Sequence, residues 1–125
     1  MSGETIVPSF VLLPEDNLLR VLRNRAEEED HARAFFLRND ERDSGLSVRF
    51  HCTYEKCRAD FNSSYGVLAL TVQSVLEIPL PVEPDAIDHA NIKEVPHKDD
   101  DELRATYLAR RLSEASTIVD SGKRI

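Results

Sequence analysis

Glycine is scarce in this chain and tryptophan is absent: four glycines occur in 125 residues, none of them clustered. A loop that cradles phosphate needs glycines close together, so a Gly-rich nucleotide loop is excluded, and neither G-x-S-x-G nor H-E-x-x-H occurs. Cysteine is as thin. Four residues separate Cys52 from Cys57, and no second pair exists to complete a tetrahedral zinc set with His51, His89 and His97. No metal and no cofactor are expected. Long apolar runs are missing too: no window free of proline and charge approaches the roughly 18 residues that a membrane helix needs. The opening MSGETIVPSF lacks a basic region followed by an apolar run, so a secretory signal is not expected. The expected location is the cytoplasm, with both thiols reduced.

Acids outnumber bases, 23 to 16, for a formal charge of −7. Such a balance repels polyphosphates at long range. The basic groups Arg20, Arg23, Arg25, Arg110 and Arg111 are diluted by neighbouring acids, so nucleic acid is not an expected partner. At 125 residues, 41% apolar and 31% charged, the chain fits one domain with a modest core. Residues 1–125 are read as that single domain, with 1–9 and 120–125 poorly ordered.

The stretch that dominates the rest is Gly66 to Val82, bounded by Tyr65-Gly66 and by Pro79, Pro81 and Pro84. Val67 to Val72 shows little alternation, which suits a strand buried on both faces. Beyond Gln73-Ser74, Val75 to Leu80 reads either as a second strand after a bend or as a one-turn helix leading into a strand. Proline cannot donate to a ladder, so any strand there is an edge.

Before this segment, Leu18 to Arg23 fits neither period cleanly, and helix-friendly Ala26 to Asp30 tilts it towards helix, while His31 to Arg38 reads as its continuation or as a separate strand. Asn39 to Gly45 is a polar loop. Leu46 to Phe50 alternates and forms a half-buried strand. Thr53 caps a helix whose Tyr54, Cys57 and Phe61 share a stripe. After it, Val82 to Asp88 reads as a connector and His89 to Val95 as a short strand. Asp99, Asp100 and Asp101 load the start of a final helix, where Ala105, Leu108, Leu112, Ala115 and Val119 form one apolar stripe. The fold expected is α+β: a small single-layer sheet of three to four strands covered by two to three helices.

Three kinds of chemistry deserve weighing. Cys52 precedes a helix start, which favours thiolate, yet no base accompanies it in a motif. The acids at 27–30 and 99–102 lack the alternating ligands and Gly turn of a calcium loop and read as a solvated face and a helix cap. His89, in the string Asp88-His-Ala-Asn-Ile, has polar neighbours able to orient it as a general base. It is the first polar residue to mutate.

Leu18-Leu-Arg20, Gly45-Leu-Ser-Val48, the Val67 to Val82 segment, His89-Ala-Asn-Ile92 and the Leu103 to Ala115 helix occur in an order that resembles a family of short uncharacterised bacterial proteins with G-L-S-V and H-A-x-I segments. That resemblance spans most of the chain and implies no catalytic residue. Arg20 and Ser47 also resemble the Arg and Ser strands of ADP-ribosyltransferase-like domains, although the nicotinamide loop and late Glu of those domains are not recognisable. Two functional expectations follow. One is a small non-catalytic domain that binds another protein, without a pocket gathering polar side chains. The other is a small enzyme or nucleotide-ligand-binding domain whose site converges from Arg20, Ser47 and His89.

Overall fold

In the computed structural model, which describes residues 12–62 and 65–120, six antiparallel strands form one sheet in the order β4-β5-β2-β1-β3-β6. The strands are β1 (Asn17–Val21), β2 (Leu46–Arg49), β3 (Val67–Thr71), β4 (Val82–Ala86), β5 (His89–Ile92) and β6 (Thr117–Asp120). The helices are α1 (Arg25–Glu29), α2 (Tyr54–Asp60), α3 (Val72–Glu77) and α4 (Glu102–Ala115), with 3-10 turns at His31–Phe35 and Asn39–Glu41. The architecture is α+β as expected, but the expected sheet of three to four strands under two to three helices is corrected to six strands and four α-helices.

The difference has physical causes. Segment 17–21 lies mid-sheet with both faces covered, so it carries no alternation to betray it. Leu18 and Leu22 enter one core, Leu19 and Val21 the other. Val82–Ala86 alternates between half-buried and exposed positions, and its Pro84 is tolerated because β4 is an edge strand. Val72–Glu77 is helical because the Thr71 hydroxyl accepts the Ser74 N–H at its start. At the far end α4 stops at Ala115. Ser116 is extended, and β-branched Thr117, Ile118 and Val119 form β6 instead of lengthening the helix. The lead 1–9 and the tail 121–125 lie outside the described residues; Asp120 closes β6.

The principal core lies on one face of the sheet, where Leu68, Leu70, Val48 and Ile92 meet Val75, Leu80, Phe35, Leu108 and Leu112. Ala105, Ala109, Leu108 and Leu112 supply the buried side of α4, and Ala105 and Ala109 are small enough to bring its axis close. On the opposite face α2 packs over β1 and β3, burying Cys57 against Leu19, Val21, Val67 and Ala69, and reaches β2 and β6 through the Arg49–Asp60 and Arg58–Asp120 pairs. The same face of β2, β5 and β4 has no helix over it and carries polar side chains. No helix among the described residues is long and apolar enough to cross a membrane.

Candidate functional site

On the uncovered face, strand register does the assembling. Ser47 stands opposite Asn91 and Arg49 opposite His89 across β2 and β5. Directly paired residues point to the same face, so Ser47, Arg49, His89 and Asn91 form one polar patch. β4 then adds a carboxylate. Its register with β5 slips between Pro84 and Ala86, which leaves Asp85 as the extra residue, and such a bulge re-aims a side chain.

The result is a linear relay. Ser47 Oγ lies 2.6 Å from His89 Nε2, and His89 Nδ1 lies 2.6 Å from Asp85 Oδ1. Asn91 Nδ2 donates to the other Asp85 oxygen at 2.9 Å. Partial burial works against ionising Asp85, but the hydrogen bonds from His89 and Asn91 outweigh it and hold the carboxyl below its usual range. A carboxylate only accepts, so Nδ1 carries the proton and Nε2 is left to accept from the Ser47 hydroxyl. Ser, His and Asp in this chain of contacts are the parts of an activated hydroxyl nucleophile. These side chains line a cleft of about 210 Å³ together with Arg23, Arg38 and Phe61.

Ser47 is also held through its backbone. β1 and β2 pair in register only at Leu19 and Arg49, and next to Ser47 the ladder is replaced by an ion pair. Glu41 Oε2 accepts the Ser47 N–H at 3.1 Å, while Arg20 Nη1 donates to the Ser47 carbonyl at 2.7 Å. Arg20 and Glu41 meet at 2.6 and 3.0 Å with both side chains buried. Burial opposes ionisation of Glu41, yet the Arg20 hydrogen bond and charge, with N–H groups from Arg38 and Ser47, win and lower its pKa. Arg20 further donates through Nε to the Ala34 carbonyl and through Nη2 to that of Phe36. All five guanidinium N–H groups are thereby used.

Of the three candidates named from sequence, Ser47 and His89 meet in the cleft and Arg20 does not line it. Arg20 pairs with Leu68 on the covered face and reaches Ser47 only through main chain. Asp85, Asn91 and Glu41 were missed. The alternation of Glu83, Asp85, His89 and Asn91 could have pointed to Asp85, whereas Glu41, read as loop, carried no local signal.

The other chemistry-bearing residues lie elsewhere. His51 packs edge-on to Phe50 and pairs with Asp16 at 3.3 Å. Cys52 donates to the Thr53 carbonyl. Burial, with Cys52 alongside, pushes the Cys57 thiol up to about 12, so it is not a nucleophile at neutral pH. His97 is buried between Arg42 and Asn39. Among the described residues no three His, Cys, Asp or Glu side chains gather to hold a metal ion. Comparison with family models, with curated proteins and with solved structures finds no match to this chain.

Proposed function

We propose that the protein is a small serine-dependent enzyme that cleaves an ester, with Ser47 as nucleophile, His89 as general base and acid, and Asp85 as the group that orients the imidazole. The observation that carries this reading is the unbroken Ser47–His89–Asp85 relay, 2.6 Å at each step, opening on a cleft. In the reaction Ser47 Oγ bonds to the ester carbonyl carbon while its proton passes to His89 Nε2. Collapse of the tetrahedral intermediate breaks the carbon–alkoxide bond, and His89 returns that proton to the leaving alcohol. Water then repeats the sequence on the acyl-serine and releases the acid. The Ser47 N–H is committed to Glu41, so it is not free to serve the developing oxyanion.

A fluorophosphonate probe tests the proposal. Native protein should form a covalent adduct located at Ser47 by peptide mass analysis, and Ser47→Ala should form none. Replacing His89 by Ala should slow adduct formation about 10²–10⁴-fold, the usual contribution of a positioned base. Folded protein that leaves Ser47 unlabelled sinks the assignment.

A further inference from the structure

The cleft does not end at the relay. Arg23, Arg38 and Asp40 line it and also line an adjoining cavity of about 790 Å³ that extends to Lys98 and His97. Cations are unevenly engaged there. Arg38 reaches Glu27 at 3.5 Å, and Glu27 also accepts the Arg23 N–H at 2.8 Å. Asp99 and Asp40 line the cavity as well; Asp99 reaches Arg42 at 3.6 Å, and Asp40 is exposed to water. Neither Arg23 nor Lys98 has an acid within ion-pair reach among the described residues, although Lys98 sits 5.7 Å from the Phe36 ring centre. His97 Nδ1 meets the Arg42 guanidinium and the Asp99 N–H.

Arg38 lies between two carboxylates, Glu27 at 3.5 Å and Glu41 at 4.0 Å. Burial first, then the Arg20 charge, bring the Arg38 pKa down to about 10, and Arg23 pushes the same way. Guanidinium groups match the geometry of phosphate oxygens.

We propose that the cavity seats a phosphate group on the substrate, gripped by Arg23 and Arg38 with Lys98 at the rim, so that the ester cleaved at Ser47 belongs to a small phosphorylated molecule. Phe61, 40% exposed, forms an apolar wall of the same cleft beside the relay and suits the non-phosphate portion. A long polyphosphate is disfavoured by the overall charge of −7. The identity of the group rests on the esterase reading, but its binding does not require catalysis.

The test therefore uses the full chain carrying Ser47→Ala, titrated by calorimetry with glycerol 3-phosphate, inorganic phosphate and glycerol. Glycerol 3-phosphate should bind with a Kd of about 1 mM or tighter, and glycerol should not. Arg23→Gln and Lys98→Gln, at exposed positions, should each weaken binding about tenfold without altering the melting temperature. Equal binding of inorganic phosphate assigns the cavity to the phosphate alone; tighter binding of the glycerol ester adds contacts from the cleft. Absence of binding at about 10 mM, or affinity indifferent to both substitutions, overturns the proposal. Phosphate binding without Ser47 labelling of the native protein would leave the anion site standing and remove the esterase.

Discussion

The two halves of the sheet handle polar groups in opposite ways. In the half built on β1 and β3, helices cover both faces, and the buried Arg20 side chain has every N–H satisfied by protein. In the half formed by β2, β5 and β4, one face is open, and Ser47, His89 and Asp85 bond mainly to one another beside solvent. A charge enclosed by protein is a matter of stability, since removing either partner strands the other. A polar chain facing a cleft is available for chemistry. The halves meet at Ser47, whose main chain belongs to the enclosed pair and whose hydroxyl belongs to the open face.

The largest effect should come from breaking the enclosed pair. Arg20→Ala should destabilise the fold by about 3–5 kcal/mol, because Glu41 is left buried and unpaired. Glu41→Ala should match it. Arg20→Met combined with Glu41→Leu should recover part of the loss but not all, since the Ser47 N–H and carbonyl would still lack their partners. Urea titrations of the four chains measure this. A double variant no better than the singles would place the energy in the backbone contacts rather than in the ion pair.

Much of the covered half was legible because local pattern and tertiary environment agreed there. Val67 to Thr71 is a doubly buried strand, and the stripe Ala105, Leu108, Leu112 faces it. Thr53 caps α2 by accepting the Lys56 N–H, as its position suggested. Signals failed where the deciding partner was distant in sequence. Arg20 looked available for a ligand because Glu41, 21 residues on, stood in a stretch that reads as a polar loop. β1 hid its strand for want of a polar face, and β4 hid behind Pro84. At the site, Ser47 and His89 stood out singly, but the bulge that turns Asp85 towards His89 exists only once β4 and β5 pair.

Acid should act on the enclosed half at the junction and so sharpen the contrast. Glu41 ordinarily titrates near 4.5 and is lower in the folded protein. A carboxyl of this kind contributes its full stability above its unfolded pKa and loses it as pH falls through the folded one. Unfolding free energy should therefore decline below about pH 4.5, and Glu41→Gln should be less stable at neutral pH but flatter across the acid limb. Chemical denaturation between pH 7 and pH 3 follows both chains. Parallel curves would show that Glu41 does not carry the acid sensitivity.

The smallest effect on the fold should come from the open half, and the comparison turns on it. Asp85 is exposed on an edge strand, and its side chain bonds to His89 and Asn91. Asp85→Asn keeps the size, so stability should stay within about 0.5 kcal/mol of the native chain. Its amide can present an N–H to His89 Nδ1, favouring the tautomer whose Nε2 bears the proton and cannot accept from Ser47. Reactivity at Ser47 towards the fluorophosphonate should then fall by as much as about 10⁴-fold while the melting curve barely moves. If Asp85→Asn instead unfolds the edge strand and leaves labelling of the remaining folded protein unchanged, the relay is a cross-strand brace, and the open half serves stability just as the covered half does.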